Sequence, residues 1–172
     1  MLVLGIDPGT AITGYGLVRE TEEGLVLVDC GVITTSPDQP LPARLQAVYH
    51  GLAAIAREHQ PDAAAVEELF FSRNARTALS VGHARGVTLL ALAEAGLPIF
   101  EYKPMQVKQA VAGYGGADKQ QVQQMVAMLL NLDAVPQPDD AADAVAVAVC
   151  HIHSATMAAL LADAQREARR RE

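Results

Sequence analysis

LVLGIDPGT, residues Leu2 to Thr10, is an apolar run that ends in one acid and breaks at once into Pro8-Gly9. Leu2, Val3, Leu4 and Ile6 are too few for a helix and are stopped by a turn. They read as a strand buried on both faces. Asp7 then stands where a buried strand meets solvent, beside a bend that can bring an oxygen ligand close. An unpaired carboxylate in apolar surroundings is costly, so the position asks for a reason. These residues leave two open: capping of the turn, or a metal or phosphate site.

Working outward, TGYGLVRE (13–20) alternates and GLVLVDCGVITT (24–35) is rich in Val and Ile. With short connections, the first three strands form an antiparallel meander. Three prolines mark a loop at 36–42. Leu45, Val48, Leu52 and Ile55 then keep helical spacing, predicting an amphipathic helix over 42–59. Ala63 to Glu67 is a second short strand ending in acid. A long helix is expected over 73–95. Glycine inside a helix costs about 1 kcal/mol against alanine, so Gly82 and Gly86 imply close packing, either within the monomer or at a dimer seam. LPIFEY (97–102) reads as a fifth strand, and helices are expected at 104–111, at 118–131 and from Asp139 to about Ala162. The order describes a three-layer α/β domain on a five-stranded mixed sheet, three antiparallel strands followed by parallel ones, flanked by helices. One domain is expected over 1–165, followed by a charged, disordered tail at 166–172.

The length of 172 residues suits that single domain, and half of the residues are apolar. No charged leader precedes an apolar run at the N-terminus, and the longest apolar stretch, near 144–150, is short for a bilayer span. These features point to a cytoplasmic protein. Cys30 and Cys150 sit in apolar segments and read as buried thiols. The net charge is −7, yet residues 69–131 carry six basic residues against three acids, and all the lysines lie between 103 and 119. Such segregation favours a polyanionic partner.

Acids adjoin buried apolar runs at three places: Asp7, Glu67-Glu68, and Asp139-Asp140 with Asp143. Asp140 and Asp143 share a helix face, as do Asp139 and Asp143. Helix-dipole and capping effects account for acids at a helix start, but not for acids ending strands at 7 and 67. If those strand ends lie side by side beneath the last helix, four carboxylates converge. Their repulsion then calls for hard divalent cations, Mg²⁺ above all where phosphates bind. No zinc-type His/Cys spacing is present, and His151 and His153 read as packed or surface histidines.

GIDPGT with TGYG, AVEELFF, the Arg-Gly of HARGV, QVKQAVAGYGGADKQQVQQMV and DDAADAVAVAVCH resemble, in order and over nearly the whole chain, the RuvC family of Holliday-junction resolvases. The resemblance implies a ribonuclease-H-like fold and a homodimer acting on four-way junction DNA in recombination and repair, with the RuvA–RuvB branch-migration complex as a further partner. It places the motif acids on Asp7, Glu67, Asp140 and Asp143, as catalytic residues and metal ligands for two Mg²⁺ roughly 4 Å apart, with Mn²⁺ as a substitute. The expected chemistry is phosphodiester hydrolysis giving paired symmetric nicks with 5′-phosphate and 3′-hydroxyl ends. Lys108 and Lys119 match phosphate-contacting positions, with Arg73, Arg76 and Lys103 as further candidates. Phe70 is either core or an aromatic that stacks on bases. Asp139 is an extra acid beside the motif. The competing functions are a phosphotransferase of the actin and sugar-kinase type, whose first strand also ends in Asp-x-Gly-Thr, and a non-catalytic junction-binding module.

Overall fold

The computed structural model describes residues 1–68 and 75–170. Three antiparallel strands, β1 (Leu2–Asp7), β2 (Ile12–Thr21) and β3 (Gly24–Thr34), follow from the N-terminus. Helix α1 (Leu41–His59) leads to β4 (Ala63–Glu67), and α2 (Ala75–Glu94) leads to β5 (Ile99–Tyr102). Helices α3 (Pro104–Ala112), α4 (Lys119–Leu129) and α5 (Asp139–Arg170) complete the chain. The sheet order is β3-β2-β1-β4-β5, with β4 parallel to β1 and β5 parallel to β4. This is the expected five-stranded mixed sheet of a ribonuclease-H-like fold.

Two cores lie on the two faces of the sheet, as the side-chain period of two requires. Leu2, Leu4 and Ile6 of β1 pack with Val48 and Leu52 of α1 and Leu92 of α2. On the other face Val3 and Ala65 meet Val145, Val149 and Ile152 of α5, with α3 and α4 closing that side. Because β1 is central, Val3, Leu4 and Ile6 are completely buried.

Helix α5 reaches the sheet through glycine. A Cβ at Gly5 would stand 2.1 Å from the Ala144 carbonyl oxygen, one at Gly14 1.9 Å from that of Asp140, and one at Gly16 2.5 Å from Cγ2 of Val145. These three positions let the helix backbone rest almost on the strands. Local bonds fix the ends of other elements. The Asp62 carboxylate accepts the Leu2 N–H at 2.6 Å, and Asp118 caps α4 by accepting the Gln121 N–H at 2.9 Å.

The structure departs from the sequence reading in two places. Helix α5 runs on to Arg170, past Ala162, because the Ala, Gln, Arg and Glu of the tail all favour helix and no Gly or Pro stops it. By length and composition its segment Asp139–Ala158 could cross a bilayer, although the reading found no such run; 61% of it is buried here, as a core helix is. Of the two glycines for which packing within the monomer or at a dimer seam was left open, a Cβ on Gly86 would meet nothing within 4 Å among the described residues. The thiols of Cys30 and Cys150 are free, half-buried and buried respectively. His151 is buried with Nδ1 2.8 Å from the Tyr102 hydroxyl, and His153 lies 3.0 Å from the Ala110 carbonyl, so both are packed.

Candidate active site

Asp7 ends β1 and Glu67 ends β4, and the two strands are parallel neighbours. Both acids point to the α5 face, in the alternation set by Val3 and Ala65. The turn after Asp7 is pinned on several sides. Thr13 Oγ1 donates to the Gly9 carbonyl at 2.6 Å, Thr35 Oγ1 donates to that of Thr10 at 2.5 Å, and the Thr10 hydroxyl pairs with that of Ser80 on α2. The close seat of α5 on Gly14 then brings Asp140 and Asp143, in its first turns, over the same strand ends.

The electrostatics record that convergence. Burial, then the charges of Asp143 and Asp140, raise the Asp7 carboxyl from 3.8 to about 6. Burial, then Asp7 and Asp143, raise Glu67 from 4.5 to about 7. Asp143 is raised as well, chiefly by burial, against the lowering effect of Lys119. Acids at the surface for capping alone would not oppose one another in this way.

The basic residues fall into three groups. Lys119, first residue of α4, places Nζ 2.9 Å from Asp143 and 3.2 Å from Asp139. Lys108 of α3 lines the same cavity of about 180 Å³ with Glu67, Lys119 and Asp143, and its charge lowers the Glu67 pKa. Lys103 is exposed at the start of α3, where its backbone N–H donates to Gln106 at 2.9 Å. Phe70 and Arg73 lie outside the described residues, and so does the side chain of Arg76 in α2. Sequence reasoning treated Lys119 as a phosphate contact and missed its two carboxylate partners.

Among the described residues no three His, Cys, Asp or Glu side chains are gathered tightly enough to hold an ion. The four acids interact through space without closing, since like charges separate and Lys119 draws Asp143 toward α4. The donor set nonetheless fits a hard divalent cation: carboxylate oxygens only, with an ammonium already standing beside Asp143 as a cation. Of the four acids, Glu67 and Asp143 line the cavity, which at about 30 Å³ per water has room for a hydrated ion beside them. A larger groove of about 1000 Å³, between the β2–β3 turn and the second half of α5, is mainly apolar and lies away from these acids.

A sheet of this order, with acids on adjacent strand ends and on the helix crossing them, defines a nuclease of the ribonuclease-H-like class. The chain matches the family described as "Crossover junction endodeoxyribonuclease RuvC" over residues 3–151. It is 60% identical over 154 residues to the RuvC of Roseiflexus sp. (strain RS-1), covering 90% of this chain and 92% of that one. It is 59% identical over 157 residues to the RuvC of Desulfitobacterium hafniense (strain Y51), covering 91% and 95%. Among solved structures it is similar to T. thermophilus RuvC in complex with Holliday junction substrate, with a TM-score of 0.87, 41% identity and coverage of 92% and 96%. The yeast mitochondrial resolvase Ydc2, with a TM-score of 0.61 and 16% identity, shares the fold. The chain belongs to the RuvC family. It is accordingly a structure-selective Holliday-junction endonuclease with a metal-dependent mechanism.

Proposed function

We propose that Asp7, Glu67, Asp140 and Asp143 are the catalytic acids and the ligands of two Mg²⁺ ions. The observation that carries this reading is the placement of Asp7 and Glu67 at adjacent, parallel strand ends beneath the start of α5, where burial first and the neighbouring acids next raise Asp7 to about 6 and Glu67 to about 7. When bound, Mg²⁺ or Mn²⁺ supplies an activated water and neutralises charge on the scissile phosphate. Asp7 and Glu67 from the strand ends, with Asp140 and Asp143 from α5, would hold the ions. The rigid β1–β4 pair fixes Asp7 and Glu67, so little orientation is lost on binding. Lys108 and Lys119 present positive charge at the wall of the site toward a phosphate, and Lys103, Arg73, Arg76 and Phe70 are further proposed DNA contacts on the strength of the family. The products are paired symmetric nicks with 5′-phosphate and 3′-hydroxyl ends, made in the cytoplasm.

Two nicks on one junction need two sites, and α2 offers a seam. Leu79 and Leu90 are 64% and 52% exposed, and with the exposed His83 and Gly86 they follow the four-three-four spacing of a helix-pairing stripe. A homodimer paired along α2 covers these residues. The RuvA–RuvB complex is a further proposed partner, on the strength of the family alone.

The decisive experiment incubates the protein with a synthetic mobile four-way junction and Mg²⁺, without nucleotide. Paired nicks are expected, absent with EDTA. Asp7→Asn should lower the rate by about 10³-fold or more, since metal stabilisation of the transition state is worth several kcal/mol. ATP hydrolysis without cleavage would establish the phosphotransferase reading instead. Junction binding without cleavage, unchanged in Asp7→Asn, would leave a binding module.

A further inference from the structure

Lys119 holds two carboxylates with different fates. Asp143 is one of the proposed metal ligands, and a cation bound there takes it from the lysine. Asp139 sits one turn earlier on the same helix, exposed, outside the motif acids, and 3.2 Å from the same ammonium. Gln123, one turn beyond Lys119 on α4, is buried. Yet Nε2 of Gln123 has no full hydrogen-bond partner among the described residues.

We infer that Asp139 is a positioning residue for Lys119: it retains the ammonium at the edge of the site when a divalent ion takes Asp143, so that the charge faces the scissile phosphate rather than solvent. A lysine with one partner would be released by metal. With two, it changes partner and stays. A freely rotating lysine has several rotatable bonds to fix before it can meet a phosphate, and a tether removes much of that loss. The inference rests on the reading of Asp143 as a metal ligand.

The chain's lysines are Lys103, Lys108 and Lys119, so a lysine-selective ammonium spectrum of the full-length protein is simple, and Lys119→Arg identifies the wanted signal. The spectrum is followed through a Mg²⁺ titration together with the Asp143 carboxyl carbon. In the wild type the Lys119 signal should persist while the Asp143 carbon shifts. In Asp139→Asn the same Asp143 shift should be accompanied by loss of the ammonium signal to solvent exchange, and Asp139→Glu should restore it. Single-turnover junction cleavage should fall about tenfold in Asp139→Asn, with junction affinity within about twofold, and recover in Asp139→Glu. Loss of the wild-type signal on metal binding, or a signal and rate in Asp139→Asn equal to wild type, would overturn the inference. So would a slower rate with the signal kept, which would make Asp139 a structural cap. An Asp143 carbon that ignores Mg²⁺ would instead remove the metal-site reading itself.

Discussion

At Asp7 and Glu67 the fold works against the charge it needs. Both pKa values are raised by burial first and by neighbouring acids next. A raised carboxyl favours folding in its protonated form, so this contribution is complete below the ordinary carboxylate range. It is lost as pH climbs through about 6 for Asp7 and about 7 for Glu67. Through these two groups the metal-free protein is more stable at pH 5 than at pH 8. Divalent cations should restore what ionisation removes, so Mg²⁺ should raise the Tm by several degrees more at pH 8 than at pH 5. Thermal unfolding with and without Mg²⁺ at both pH values checks this, and an equal Mg²⁺ effect at both would contradict it. The strand-ending acids were legible from sequence because two apolar runs each stop at a carboxylate, a repetition that capping of one turn does not account for. The ion pairs of Lys119 were not, since nothing local at Lys119 specifies a contact with Asp139 or Asp143 twenty or more positions away.

Among the elements, α5 decides the geometry. Its apolar character and its start at Asp139 were readable from periodicity and from the proline-rich break before it. Its depth in the fold was not. That depth depends on Gly5, Gly14 and Gly16, whose missing side chains admit the helix backbone. A sequence displays a glycine but not what fills the space it leaves. Gly5→Ala places a methyl group against the Ala144 carbonyl and the Ala148 backbone, so it should destabilise the protein by about 3 kcal/mol, at the upper end for overpacking. Urea unfolding measures the loss. Cleavage by whatever remains folded should also fall, because a displaced α5 carries Asp140 and Asp143 with it. The proposed α2 seam belongs to the same scale: the space beside Gly86 is open among the described residues, so a second helix could approach there.

For the whole molecule, that seam makes a concentration-dependent prediction. Leu79→Glu with Leu90→Glu buries two charges in the proposed interface and should convert dimer to monomer in sedimentation while the circular dichroism spectrum is unchanged. Paired nicking should give way to single nicks, since two active sites no longer sit on one junction. A wild type that sediments as a monomer at every concentration would remove the seam. The acidic total charge of −7 did not disguise a nucleic-acid enzyme, because residues 69–131 carry six basic residues against three acids. Composition averages over surfaces; position along the chain retained the signal.

The close seat of α5 also sets the freedom of the protein to change. One helix is at once the central column of a core and the carrier of two proposed catalytic acids, with no joint between the two roles. A stabilising redesign of that face would re-aim the acids with every adjustment of packing. The α1 face bears no such burden, because its core of Leu2, Leu4, Ile6, Val48 and Leu52 points away from the site. Drift and engineering therefore have room on one side of the sheet, while the other must move as a unit or stay as it is.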